Sequence, residues 1–576
     1  MLDLRSSAGW LICSAILAFS QDTSPEIASH DAPATFNTRV NLVSVPVVVR
    51  DGKGHSIGTL KKEDFQLFDK GKPQIISKFT IETAEGRVAP LEVTAADPDL
   101  EKGGAKAPAG PPPANRFVAY LFDDMHASFG DLALARAAAI KHLAETMKGT
   151  DRAAVYTTSG QNALDFTDDR EKLAQTMNLI RPRSRFSSTQ CPDISPYLAD
   201  LIVNKNDPTA LGFLVREAVA CGIGSGTDTA AQALQLATTQ VKALAPQVLG
   251  VAEADSQIAL SVLKAVVQRL SVMPGQRTIV LISPGFLVTI NHRQEEAESI
   301  DRAIRANVVI SALDARGLYT VTPGGDASTA NTSVQSANTK TRYQGEAAVA
   351  QSDVLAELAD GTGGTFFHNN NDLQEGFRRT AAAPEFMYVL GFSPQNLKSD
   401  GSFHSLKVVV VKTTATDMRG TSMQARRGYY APRHSTTPAE DAKEEIRVAL
   451  FSREEMSDIP ADLHMQFFKA TDQNAKLSVV AHVDLKHLRF KKGDGRNRNT
   501  LAIVSAVFDR NGVMVGVIQK EVEMKFKDDR LEKWLEAGVT MKTSFDVQPG
   551  SYVVRLVVRD SEGQAMAARN GVVEIP

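Results

Sequence analysis

The stretch that most constrains this chain is FVAYLFDD, residues 117–124. Six apolar residues in a row fit a strand covered on both faces, not a half-exposed one that alternates apolar and polar. Two carboxylates, Asp123 and Asp124, end the run. His126 and Ser128 follow, and a helical stripe with Leu132, Ala139, Leu143 and Met147 comes next, with Asp131 placed to cap it.

The same grammar continues. AAVYTTS reads as a strand, and Thr167-Asp168-Asp169 opens a helix running to Ile180. TIVLIS (278–283), VVISALD (308–314), GGTFFH (363–368) and FMYVLGF (386–392) read as further strands. Helical segments are expected at 228–246, 255–271, 293–306, 346–359 and 371–382. Strands alternating with helices predict an α/β class: a doubly wound, mostly parallel, Rossmann-like sheet over 116–435 with helices on both sides. Residues 181–225 interrupt it as an insertion carrying a short helix, and 322–345, rich in Ser, Thr, Asn and Gly, reads as a surface loop with a sequon at Asn331.

Both flanks differ from this pattern. Residues 37–92 read as short strands with Gly-containing turns, and VNLVSVPVVV places Val43, Val45, Val47 and Val49 on one face. Residues 440–576 return to strands. Both regions are expected to be immunoglobulin-like β-sandwich modules. Residues 93–115, with Pro111-Pro112-Pro113, read as a linker. A Val-x-Asp-x-x-Gly pattern recurs at Asp51, Asp509 and Asp560. Asp bonding its own backbone and Gly at positive φ make a turn, and the interior residues argue against calcium.

The first 20 residues read as an export signal. Arg5 is the positive region, 8–19 the apolar core and Ala18-Phe19-Ser20 the cleavage region. No later segment approaches the roughly 20 apolar residues of a spanning helix. Cleavage leaves Cys191 and Cys221. An oxidising compartment can join them, closing a 30-residue loop worth about 3–4 kcal/mol; two buried thiols are the alternative, and the bridge is expected. The net charge of -3 and the lack of a basic-aromatic stripe argue against nucleic acid.

Several stretches resemble the von Willebrand factor A domain, in the divergent bacterial VWFA-related form. They are FVAYLFDD, DRAAVYTTSGQNALDFTDDREKL, LAELADGTGGTFFHNNNDLQEGF, FMYVLGFSP with RRGYYAPR, and the cysteine segments CPDISPYLAD and VREAVACG. The strand-rich entry resembles the same family, so the likeness covers roughly 37–435. It implies an exported protein and a metal-ion-dependent adhesion site, Asp-x-Ser-x-Ser with a Thr and an Asp from later loops, holding Mg²⁺ through oxygens.

This chain departs from that pattern. Counting from Asp123 puts Met125 and Ala127 where hydroxyls belong. Counting from Asp124 gives Asp124-x-His126-x-Ser128, and an imidazole suits Zn²⁺ or Mn²⁺ better than Mg²⁺. Thr227 is the second-loop candidate, and Pro284 stands where the third-loop Asp belongs. The candidate metal set is therefore Asp123, Asp124, His126, Ser128 and Thr227, for Mg²⁺ or another divalent cation. Alternatively, the two acids cap a helix or pair with a cation while His126 packs or hydrogen-bonds near the rim. Gly222, Gly224 and Gly226 do not make a dinucleotide fingerprint, and no nucleophile, zinc-protease or Walker pattern is present.

The function expected is non-enzymatic: an exported, periplasmic, cell-surface or secreted protein that binds another protein. The recognition surface would be built from loops 123–130, 181–227, 284–292 and 322–345. The rival readings are a metal-assisted hydrolase using His126 and a purely structural envelope protein.

Overall fold

The computed structural model describes residues 26–32, 43–52, 55–83, 114, 116–183, 191–319, 334–381, 386–392, 394, 402–411, 421–431, 438–451, 455–469, 471, 473–563 and 565–576. The expected signal, the sequon and all of the linker except Ala114 lie outside them. Among the described residues, no helix is long and apolar enough to cross a membrane.

The elements begin with strands β1 (Ile27–Ala32), β2 (Val43–Arg50), β3 (Phe65–Asp69), β4 (Lys72–Gln74) and β5 (Lys78–Thr83). The middle of the chain supplies β6 (Arg116–Phe122), α1 (Phe129–Thr146), β7 (Asp151–Thr157), β8 (Ala163–Thr167), α2 (Arg170–Leu179), α3 (Pro196–Val203), α4 (Pro208–Ala220) and α5 (Ala230–Ser271). It continues with β9 (Gln276–Ser283), α6 (Arg293–Arg305), β10 (Val308–Asp314), α7 (Val334–Thr362), β11 (Phe366–Phe367) and α8 (Leu373–Ala381). Then come β12 (Phe386–Phe392), β13 (Phe403–Val410), β14 (Ser422–Ala425), β15 (Gly428–Tyr430) and α9 (Pro438–Phe451). The last part holds β16 (Met456–Ser457), β17 (Ala461–Lys469), β18 (Ala475–Val483), β19 (Lys491–Gly493), β20 (Arg496–Phe508) and β21 (Met514–Phe526). It closes with α10 (Asp528–Ala537), β22 (Val539–Val547), β23 (Gly550–Asp560) and β24 (Met566–Ile575).

The six-stranded sheet that carries the acid pair has the order β11-β10-β9-β6-β7-β8. Strand β6 lies inside it, paired in parallel with β7 and β9. Its side chains divide by the period of two. Phe117, Ala119 and Leu121 enter a core with Leu260, Leu263 and Val267 of α5 and Leu355 and Leu358 of α7. Val118, Tyr120 and Phe122 enter a second core with Leu132 and Leu143 of α1, Leu173 of α2 and Phe377 of α8. Burial on both sides is why the run contains no polar residue.

The pairing corrects the fold class expected for the chain. Among the described residues, four of the five sheets are wholly antiparallel, and the six-stranded one is mixed because β8 runs antiparallel to β7. The expected doubly wound, mostly parallel Rossmann-like sheet is therefore not the organising feature of the described residues, whose sheets are mostly antiparallel. FMYVLGF, expected as a closing strand of that sheet, is β12 and pairs antiparallel with β2 and β5. An apolar run shows that a strand is buried but does not specify its neighbour.

The N-terminal flanking module is not self-contained, whereas the C-terminal one builds its cores from residues 446–575. Strands β2–β5 close a sandwich only with β12–β15, in two sheets ordered β14-β2-β12-β5 and β15-β13-β3-β4. Val43, Val45, Val47 and Val49 form its core with Phe65, Leu67, Tyr388, Leu390, Phe392 and Val408. The Tyr388 hydroxyl donates to the Ile57 carbonyl at 2.6 Å and accepts from the Leu60 amide at 3.0 Å, tying the two halves. Strand β1 adds to the far end of the C-terminal sheet, antiparallel to β21, with Ile27 opposite Met524.

The insertion is larger than its expected short helix. Helices α3 and α4 pack with the first half of α5 and Tyr343 of α7 around a core of their own, and a Cys191–Cys221 disulfide staples it. From Val334 onward, the stretch expected as a loop is α7.

Candidate functional site

Three neighbouring strands end together. The Asp123 amide donates to the Ile282 carbonyl at 2.8 Å, and the Thr158 amide donates to the Phe122 carbonyl at 2.9 Å. The carboxyl ends of β7, β6 and β9 therefore place Thr158, Asp123 and Ser283 side by side. A turn follows Asp123, whose carbonyl accepts from the Ala127 amide at 3.2 Å and brings the His126 ring back over the acid.

Both acids point inward; Asp123 and Asp124 are each 0% exposed. Oδ1 of Asp123 accepts from Thr158 Oγ1 at 2.8 Å and from the His126 amide at 3.2 Å, and Oδ2 accepts from Ser283 Oγ at 2.5 Å. His126 Nδ1 lies 2.9 Å and 3.0 Å from the two oxygens. Asp124 accepts from the Ser159 amide at 2.9 Å, Ser159 Oγ at 2.6 Å and Thr158 Oγ1 at 3.2 Å. Arg183 Nε approaches Asp124 to 3.9 Å.

The electrostatics follow from this geometry. Burial pushes the Asp123 carboxyl up, but the His126 charge and hydrogen bond, with the Ser283 and Thr158 hydroxyls, hold it below the usual carboxylate range. Burial opposes charge on His126, yet Asp123, Asp255 and Asp124 raise it above the ordinary imidazole value. The ring stacks on Phe286 at 5.1 Å, and its Nε2 is buried without a hydrogen-bond partner among the described residues.

A hard cation needs several oxygen lone pairs aimed at one point. Here each carboxylate oxygen of Asp123 and Asp124 already faces a protein donor. Ser128 is turned away: its Oγ donates to Asp131 Oδ2 at 2.7 Å and accepts the Asp131 amide at 3.2 Å, capping α1. Thr227 is remote. Its hydroxyl donates to the Gly224 carbonyl at 2.7 Å, just before the start of α5, whereas the α5 residue that acts on His126 is Asp255. From Ala230 to Asp255 the helix rises roughly 38 Å. Met125 and Ala127 are buried apolar residues. The residues present do not fit the oxygen cage of an adhesion-type Mg²⁺ site, and among the described residues no group of three or more His, Cys, Asp or Glu is arranged to hold a metal. Of the proposed ligands, the fold brings together Asp123, Asp124 and His126 and leaves out Ser128 and Thr227.

Thr158, Ser159 and Ser283 were not anticipated. Their signal is position: a hydroxyl at the carboxyl end of each strand beside β6. Of the other motifs, Arg427 pairs with Asp360, and Tyr429 donates to Asp69 at 2.8 Å. The recurrent Asp is a turn residue: Asp509 Oδ1 accepts the Asn511 and Val513 amides, each at 2.8 Å.

No family model matches the chain, and no curated protein does. Among solved structures, an aerotolerance-related membrane protein of Bacteroides fragilis matches at TM-score 0.21 and 12% identity, over 46% of this chain and 98% of that one. The conserved hypothetical protein BatB of Bacteroides thetaiotaomicron matches at 0.21 and 13%, over 46% and 95%. Three N-terminal domains of a type V pili tip protein of Porphyromonas gingivalis match at 0.18 and 8%, over 93% and 79%. Scores this low carry no argument about fold or function.

Proposed function

We propose that the chain is an exported, non-enzymatic protein of the cell envelope that binds another protein through the rim at the carboxyl ends of β6, β9 and β10. One observation carries this reading. Each of these adjacent parallel strands is followed by a large apolar side chain left in solvent: Phe129 at 67% exposed, Ile290 at 82% and Tyr319 at 44%. Apolar groups carried by loops on a rigid sheet are the usual material of recognition. The buried acids support the rim from below and do not touch the partner. Export rests on the apolar leader and the paired cysteines.

The test is site-specific photo-crosslinking in cells. A photoreactive residue at Ile290 or Tyr319 should give discrete adducts with one envelope protein, and one at Lys148, in the loop entering β7, should give none. Equal adducts from both rims, or none from Ile290, would defeat the reading. A hydrolase screen with purified protein, with and without a chelator, addresses the enzymatic rival.

A further inference from the structure

We infer that the Asp123–Asp124 pair is closed by the protein's own donors in place of a divalent cation, with His126 as the group that holds it shut. This goes beyond the proposed binding role and does not depend on it.

A buried carboxylate must be compensated, and a metal ion or a full set of hydrogen bonds can do this. Here the second solution is complete. Thr158 bridges both acids, Ser159 serves Asp124 through amide and hydroxyl, Ser283 serves Asp123, and His126 reaches Asp123 through backbone and ring. These groups come from three strand ends and one turn. The closure therefore also locks the ends of β7, β6 and β9 to one another. Phe286 behind the ring, with Met125 and Ala127 buried in the same turn, fixes His126 over the acid. A cation entering between the acids would have to displace the Thr158, Ser159, Ser283 and His126 donors that already occupy the carboxylate oxygens.

The departure at Pro284 fits this account. With no third-loop acid there is less negative charge to neutralise, and Ser283, one residue earlier, supplies a donor in its place.

The experiment uses the full-length protein. Wild type is melted with millimolar Mg²⁺, Mn²⁺, Ca²⁺ or Zn²⁺ and again after chelation, followed by circular dichroism. Zn²⁺ is included because His126 Nε2 is a buried nitrogen that a soft metal could take. The same series is run on His126→Ser, which turns the stretch from Asp124 to Ser128 into an Asp-x-Ser-x-Ser order, and on His126→Gln, which keeps one N–H donor. The wild-type midpoint should ignore every cation and the chelator. His126→Ser should melt roughly 5 °C lower, with His126→Gln between the two. Partial recovery of His126→Ser by Mg²⁺ or Mn²⁺ alone would show the cation and the imidazole exchanging roles; no recovery still leaves His126 as the closing group. A wild type stabilised by any of the four cations and reversed by chelation overturns the inference. So do variants that melt like wild type. If His126→Ser does not fold, the wild-type titration and His126→Gln still decide.

Discussion

Ser283 donates its hydroxyl to Oδ2 of Asp123 at 2.5 Å, from the end of the strand next to the acid's own. Ser283→Ala should cost about 1–3 kcal/mol, because an acceptor is left short of a donor in a buried place. Asp123→Ala should cost more, about 3–5 kcal/mol, because it removes the centre of a paired buried cluster. Urea denaturation followed by circular dichroism checks both the sizes and their order.

Between α6 and α7, burial and then the nearby Glu357 push the Glu296 carboxyl up to about 7, against an ordinary 4.5. Arg293 bridges the pair, 3.1 Å from Glu296 and 2.9 Å from Glu357. The folded state thus binds more protons than the unfolded one between pH 4.5 and 7. Glu296 contributes fully below 4.5, and its contribution is lost as pH rises through about 7. Glu296→Gln should flatten that fall, seen as melting midpoints of variant and wild type diverging with rising pH.

The Cys191–Cys221 bridge spans a sequence separation of 30 and borders a separate helical core. Cys221→Ser should lower stability by about 3–4 kcal/mol on the chain-entropy account. Hydrogen exchange should quicken in α3 and α4 and stay unchanged in β6 and β9.

The turn between β20 and β21 presses against the amino end of β6. Gly512 has φ +77°, and a Cβ there would sit 2.3 Å from Phe117 and 3.1 Å from Pro274. Beside it, Arg510 pairs with Asp168 at 2.5 Å, and Arg152 donates to Asn511 at 3.1 Å. Gly512→Ala should cost about 1–3 kcal/mol in overpacking, with a further 1–2 kcal/mol or so for the left-handed backbone. Limited proteolysis of variant and wild type should show faster cutting near this contact.

Local chemistry carried much of the sequence reading. The 117–122 run had to be buried on two faces, the four valines of β2 had to share one, and Asp169 caps α2 through two amides at 3.1 Å and 3.0 Å. Partner choice was not legible, because β12 and β2 join residues more than three hundred positions apart and either strand would read the same beside another neighbour. The site was half legible for a related reason. Asp123 and Asp124 announce themselves by ending an apolar run, whereas Thr158 and Ser283 are ordinary hydroxyls that become special only when three strands end together.

The pairing of β1 with β21, and of β2 with β12, has a consequence for how the molecule is made. Synthesis releases the amino end first, so both early strands wait without their partners while most of the polypeptide is still being assembled. Each pairing joins residues hundreds of positions apart in the chain, and long-range closure of this kind is slow. Cutting the gene at the apparent sequence boundaries would part β1 from β21 and β2 from β12 and leave open sheet edges, so a faithful product needs these partner strands in one piece.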